Sequence, residues 1–401
     1  MTSHCFAKKI FIFFTLIFFP LIFSHSLSQL HAEIIQDDDF GFSLDIPEGF
    51  AIDDYSEDGM SYLFSHPNIP VSFLMKIINS ENAKGSAEVL EENLNKLRAE
   101  KSIDTFKWNE SICAISQFSM TLDKAYGGWA AVSPLPLAKN SYIVLISYSP
   151  AEQKDACSQF MISLINSLCV DTKYYNKPGI VMAYAFPDEG KKRLQLNVSG
   201  TKVNTSIDKV SEEAAQFFID LEFSVFKLYA NHKLWKEAWQ RYYRMIYRDN
   251  YGRIEGCIKD ITQRLIEEAE AAGSTDVNLY TAQKLLSWVQ DFSYTRKNTS
   301  ASESDFTSLP EALCGGGNDC DSRSMLICAC MRYLGIESVL LISRDYSHAM
   351  TAVELDAPGQ KFIPENSEIE LLMGETTAKV TWGMIAQDMA DRTKWIPVYL
   401  P

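Results

Sequence analysis

Apolar and polar positions alternate through the first part of the chain. Residues 40–52, FGFSLDIPEGFAI, alternate and then break at Pro47-Glu48-Gly49, the pattern of a strand running into a turn. YLFSH, VSFLMKII, ICAISQFSMTL, GWAAVSPL and SYIVLISYS continue as strands rich in β-branched and aromatic residues. Two segments switch to helical spacing. SAEVLEENLNKLRAE puts Val89, Leu90, Leu94 and Leu97 on one face and opens with Ser86 and Glu88, and AEQKDACSQFMISLINSL is the second. The pattern predicts an α+β domain with an antiparallel sheet over residues 33–172. His66, beside Pro67, is expected as an exposed loop residue.

KYYNKPG, with Pro178-Gly179 as punctuation, marks a boundary. IVMAYAF, RLQLNVSG and KVNTSI follow as expected strands, and Ser211 with Glu212 and Glu213 opens a long helical region. Within KLWKEAWQRYYRMIYRDNYGR, residues Trp235, Trp239, Tyr243, Ile246 and Tyr247 recur every three or four positions. Such a helix either lays an aromatic face on a membrane or peptide, with Arg241, Arg244 and Arg248 outward, or is a core helix whose arginines meet acids. Residues 173–250 are therefore expected as a strand and helical extension packing on a C-terminal domain, 251–401.

Charge narrows the function. The formal net charge is −15, with 37 Lys+Arg against 52 Asp+Glu, which excludes a nucleic-acid partner because phosphate binding needs clustered cations. Near the start, Lys8 and Lys9 precede the apolar run Ile10–Phe23, and a polar stretch ends at Ala32. That is the layout of a signal peptide, residues 1–32. A helix of about 14 residues rises only ~21 Å, short of a ~30 Å hydrocarbon core. Export to the periplasm or beyond is expected, with no membrane span after cleavage. Cysteine spacing offers no zinc pattern, and no metal or other cofactor is expected. Cys157 and Cys169 could form one bridge, and Cys328 and Cys330 fall among core positions of a helix.

The candidate chemistry lies further along. DVNLYTAQKLLSWVQDFSY is a helix with Leu285, Trp288 and Val289 inward, followed by a polar loop. In LPEALCGGGNDCDSRSMLICACMRYLGI, glycines 315–317 make a turn, a helix starts around Asp319–Asp321, and Gly335 stops it. Cys320 thus sits at a helix N-terminus, where the dipole and free N–H groups favour thiolate and lower the pKa. SVLLIS is a strand, Arg344–Ser347 a tight turn, and His348 begins the next strand, HAMTAVEL. A base must come within hydrogen-bond reach of the thiol, and a strand end packed on that helix start can deliver it.

GGGNDCDSRS, RYLGI and SHAMTAVEL together resemble the transglutaminase-like superfamily, over roughly Trp288 to Trp382. The resemblance implies Cys320 as nucleophile, His348 as general base and a following acid that holds the imidazole. Family members close the unit with an acid and a Thr-containing run, and GETT (residues 374–377) implies Glu375. Glu365 and Asn366 are the alternatives, while Glu354, six strand residues from His348, is about 20 Å away and excluded. Oxyanion donors would be the Cys320 backbone N–H and an upstream side chain, Tyr294 or Trp288. The N-terminal part, from GFSLDIPEGF through the strand meander with a helix on each side, resembles the PsbP-type α/β sandwich. The expected fold is thus α+β, an N-terminal antiparallel-sheet sandwich plus a C-terminal transglutaminase-like (papain-like) domain. The expected function is an exported cysteine peptidase or amidase acting on peptide or protein amides of the cell envelope. A catalytically inactive envelope binding module and a crosslinking acyltransferase are the alternatives. No D-x-D-x-D-G calcium loop occurs, which disfavours a calcium-dependent crosslinker.

Overall fold

The computed structural model describes residues 34–79, 85–296, 303–316, 318–365 and 367–401. The expected signal peptide, residues 1–32, lies outside them, as do Gly317 and Asn366.

Five strands open the described chain: β1 (Ile34–Asp37), β2 (Phe42–Asp45), β3 (Ala51–Tyr55), β4 (Ser61–Ser65) and β5 (Ser72–Asn79). Helix α1 (Ser86–Lys96) leads into β6 (Glu100–Trp108), β7 (Ser111–Thr121), β8 (Ala125–Pro134) and β9 (Ser141–Pro150), then α2 (Ser158–Asn166) and β10 (Leu168–Val170). Strands β3 to β9 form one seven-stranded antiparallel sheet in the order β3-β4-β5-β9-β8-β7-β6, and β1, β2 and β10 form a small second sheet. Alternation decides the layers. Phe73, Met75 and Ile77 of β5 turn to the face covered by Phe160, Met161 and Leu164 of α2. The opposite face packs Ala114, Ala130 and Val144 against Val89, Leu90 and Leu94 of α1.

The expected strand IVMAYAF is instead helix α3 (Ile180–Ala185). Asn166, the last residue of α2, accepts hydrogen bonds from the Val181 and Met182 N–H groups at 3.1 Å each. A cap supplied from another element overrides the local β-preference. A hairpin follows, β11 (Lys191–Val198) and β12 (Thr201–Asp208), then α4 (Ser211–Lys227) and α5 (Trp235–Ala271).

Helix α5 is 37 residues long, so the boundary expected at 250/251 falls within it. Its apolar stripe continues through Ile254, Ile258, Ile261 and Leu265. Gly252 lets it pass the connector closely, since a Cβ there would lie 2.7 Å from the Asn176 carbonyl oxygen. The arginines of α5 resolve the two expected readings. Arg241 is buried and donates to the Asp45 carbonyl (2.9 Å), Glu222 (2.8 Å) and Ser163 (3.0 Å). Arg244 holds both oxygens of Asp45 at 3.0 Å, and Arg248 donates to the Ser167 and Tyr175 carbonyls. This is a core helix whose cations tie the sheet layer to the rest of the chain.

His66 is buried, contrary to expectation, because the segment joining α4 to α5, with Tyr229 and His232, covers its turn. Its Nδ1 accepts from the Asn68 and Ile69 N–H groups, and its ring lies among Phe50, Phe160, Tyr229 and His232. Cys157 and Cys169 are both free, so the suggested bridge does not form.

The remaining elements are α6 (Val277–Gln290), α7 (Leu309–Leu313), α8 (Cys320–Leu334), β13 (Ser338–Ser343), β14 (His348–Val353), β15 (Lys361–Phe362), β16 (Leu371–Gly374) and β17 (Ile396–Tyr399). The five strands make an antiparallel sheet in the order β15-β16-β14-β13-β17. Helices α5, α6 and α8 share one core with it, through Ile258, Leu285, Met325, Leu340 and Val353. Among the described residues no helix is long and apolar enough to cross a membrane.

Candidate active site

Helix α8 begins where the sequence expects. Asp319 is its N-cap and accepts from the Ser322 N–H (3.2 Å) and hydroxyl (3.1 Å). Cys320 is therefore the first helical residue, and it is 1% exposed. Two polar contacts pin α8 to the sheet: Ser324 to the Thr376 hydroxyl and Cys328 to the Thr351 hydroxyl, both at 3.2 Å. The Cys320 sulfur consequently faces the Ala349 backbone N–H on β14.

His348 starts β14, paired with Ser343 across the tight turn. Its Nε2 lies 3.0 Å from Glu375 Oε2. Glu375 directly follows β16, whose register sets Gly374 opposite Thr351. The other carboxylate oxygen, Oε1, accepts from both the Thr377 N–H and its hydroxyl at 2.6 Å. Burial pushes the Glu375 carboxyl up, but the His348 hydrogen bond and charge and the two Thr377 donors outweigh it, so it sits below the ordinary range. With Nε2 committed, Nδ1 is the ring nitrogen left for a thiol. Cys320 and His348 line one cleft of about 270 Å³, walled on its far side by Phe226, Trp239 and Tyr242. No hydrogen bond joins the two side chains.

The electrostatics correct one expectation. A helix-start cysteine was expected to have a lowered pKa, yet burial, then the Asp321 and Asp319 carboxylates, push Cys320 up to about 12. The Ala349 N–H and the Arg296 cation act in the opposite direction and lose. Asp321 is itself pushed up to about 8, by burial and then by Asp319. The resting thiol is neutral.

Of the two candidate oxyanion side chains, Tyr294 is at the site and Trp288 is not. Tyr294 sits beyond the end of α6, bridged to Asn318 by backbone pairing, and it feels the Cys320 sulfur. Trp288 is buried against Phe292 and lines a separate cleft with Cys314 and Gly315, because its helical position turns it into the core. Glu354 lies past β14, where its N–H bonds the Glu337 carbonyl at 2.9 Å. Glu365 is exposed and faces Tyr399, away from the imidazole. Asn366 is outside the described residues.

Two arginines were missed. Arg296 faces both the Cys320 sulfur and the Tyr294 hydroxyl. Arg323 is 2% exposed and donates to Asn318 Oδ1 (2.7 Å) and to the Thr376 (3.2 Å) and Phe292 (2.7 Å) carbonyls. It thereby ties together the three segments that carry Cys320, Glu375 and Tyr294. A cation in a helix's first turn opposes the dipole, and that local conflict was the available signal. Among the described residues no group of three His, Cys, Asp or Glu side chains is placed to hold a metal.

No family model matches the chain, and no curated protein matches it. Among solved structures it is similar to cyanobacterial PsbP from Synechocystis sp. PCC 6803, at 12% identity over 36% of this chain and 95% of that one, with a TM-score of 0.30. A Bacteroides thetaiotaomicron structure is 12% identical over 79% of this chain and 84% of its own, with a TM-score of 0.24. LpqN of Mycobacterium tuberculosis, described as involved in cell envelope biogenesis, is 10% identical over 32% of this chain and 83% of its own, with a TM-score of 0.25.

Proposed function

We propose that Cys320, His348 and Glu375 form a transglutaminase-like thiol hydrolase site that cleaves amide bonds of an exported peptide or protein substrate. The observation that carries this reading is the His348 Nε2 to Glu375 bond, itself fixed by Thr377, in a cleft shared with Cys320. It holds the proton on Nε2 and leaves Nδ1 basic.

Because the thiol is neutral at rest, the reading is general-base catalysis, without a preformed ion pair. Nδ1 takes the thiol proton as sulfur attacks the carbonyl, and the same proton passes to the departing amine, leaving a thioester. Water, deprotonated by Nδ1, then cleaves the thioester to a carboxylic acid and restores the thiol. The Cys320 N–H and the Tyr294 hydroxyl are the oxyanion donors in this scheme. The N-terminal layer, proposed as a PsbP-type sandwich, would position the site.

The test is iodoacetamide labelling of Cys320 at neutral pH, read on its peptide by mass spectrometry, in the native protein and in His348→Ala. Loss of a general base worth 10²–10⁴-fold in turnover is expected to slow labelling by at least about tenfold. Equal rates would overturn the role of His348. The raised thiol pKa favours a second reading, a non-catalytic binding module, which predicts those equal rates and no Cys320-dependent cleavage of a peptide library.

A further inference from the structure

We propose that the cleft takes an acyl donor bearing a carboxylate, clamped by Arg296 and Arg344 beside the scissile amide. This rests on the amide-hydrolase reading above and names its substrate class.

Both arginines line the cleft together with Cys320 and His348. Arg344 opens the β13–β14 turn that ends at His348, and its guanidinium lies over the Trp235 ring, 5.4 Å from the centroid. That stacking holds the cation in place while leaving its N–H edge free. Arg296 comes from the segment after α6 and donates to the Ser347 carbonyl at 3.5 Å, in the same turn. One four-residue turn therefore positions both cations around the imidazole. Both are exposed, so a ligand can reach them.

What they lack is an anion. Neither forms an ion pair with a carboxylate among the described residues, in a chain with 52 Asp+Glu against 37 Lys+Arg. Nearby on α5, Arg241, Arg244 and Arg253 each hold a carboxylate, that of Glu222, Asp45 or Asp249. Two acids share the cleft, Asp305 and Asp321. Asp319 and Asp321 lie within Coulombic reach of Arg296, yet neither closes on it as an ion pair, so both guanidinium groups remain available to a ligand carboxylate. Guanidinium forks match carboxylates in a bidentate geometry.

Iodoacetate and iodoacetamide test this without a known substrate, since they alkylate the same sulfur and differ in one carboxylate. The ratio of their rates at Cys320, divided by the same ratio for glutathione, cancels the reactivity of the thiol itself. We expect a preference for iodoacetate of about tenfold, reduced in Arg296→Gln and in Arg344→Gln and abolished in the double variant. A normalised ratio at or below one in the native protein, or one that the double variant leaves unchanged, overturns the clamp. The source of the carboxylate is read by protection against iodoacetamide. Protection by N-acetylglutamate α-amide assigns a side-chain carboxylate, protection by N-acetylglutamine assigns a terminal one, and protection by neither overturns the substrate assignment. The hydrolase reading fails on a separate observable, the response of iodoacetamide labelling to His348→Ala.

Discussion

Replacing Asp321 with asparagine isolates one of the influences on the Cys320 thiol. Burial is the first cause of that thiol's rise to about 12, and the Asp321 carboxylate is the second. Asp321 is itself pushed up to about 8, so its charge is present above that pH and absent well below it. Two unit charges ~6 Å apart at an effective dielectric of ~20 repel by about 3 kcal/mol, or about two pH units. The variant's thiol therefore ionises about two units lower than the native thiol wherever Asp321 is charged, and at the same pH wherever it is not. Nucleophilicity falls with thiol pKa, with a Brønsted coefficient of about 0.4–0.5, which returns part of the gain. The result is alkylation about five- to tenfold faster in Asp321→Asn at pH ~9, and within about twofold of native at pH ~6.5. Iodoacetamide labelling of the Cys320 peptide across this range measures both limbs. A rate ratio that does not change with pH refutes the reasoning, because it would mean that Asp321 does not titrate between those values or does not face the sulfur.

Glu375 and Arg241 carry the remaining predictions. The Glu375 carboxyl is held below its ordinary range in the fold, so its contribution to stability is fully present above the unfolded carboxylate pKa of about 4.3 and is lost as pH falls through the folded value. Glu375→Gln is expected to narrow the gap between urea midpoints measured at pH ~7 and pH ~3; an unchanged gap would count against that linkage. Arg241→Met leaves Glu222 and Asp45 buried without their shared cation and is expected to cost about 3–5 kcal/mol in urea unfolding, with partial recovery when Glu222→Gln is added. A loss under about 1 kcal/mol would show that the network is not needed to join the sheet layer to α5.

How much of this could be read from the chain depends on whether the cause was local. Helix α8 starts at Cys320 because Asp319 caps it, and both residues are adjacent in sequence. The strand beginning at His348 follows from apolar runs on either side of a four-residue turn, and strand rise alone removes Glu354 from contention. Glu375 came through a resemblance and not through spacing, and the register of β14 with β16 is what brings it to the imidazole. IVMAYAF failed as a strand because its cap comes from Asn166, on another element. The boundary expected at 250/251 falls inside α5, whose apolar stripe runs on through Ile254, Ile258, Ile261 and Leu265.

The thiol shows most plainly where local reasoning stops. A helix N-terminus favours thiolate by a dipole term worth at most about 2 kcal/mol in partly buried geometry. That effect was legible, and it has the right sign. Opposing it are burial, which depends on how α8 packs against β14, and two carboxylates whose ionisation depends on that same packing. A rise from 9.0 to about 12 corresponds to roughly 4 kcal/mol, so the tertiary terms win. The arginines follow the same logic. Arg323 is visible as a misfit in the first turn of α8, but its partners at Asn318, Thr376 and Phe292 come from three segments that only the fold brings together. Arg296 is one cation in a polar loop until β14 is in place, and then it stands beside the sulfur. On the proposed reading, a neutral thiol depends on what binds: an anionic acyl donor held by Arg296 and Arg344 would bring its carbonyl to the sulfur, and Nδ1 of His348 would take the proton as the bond forms.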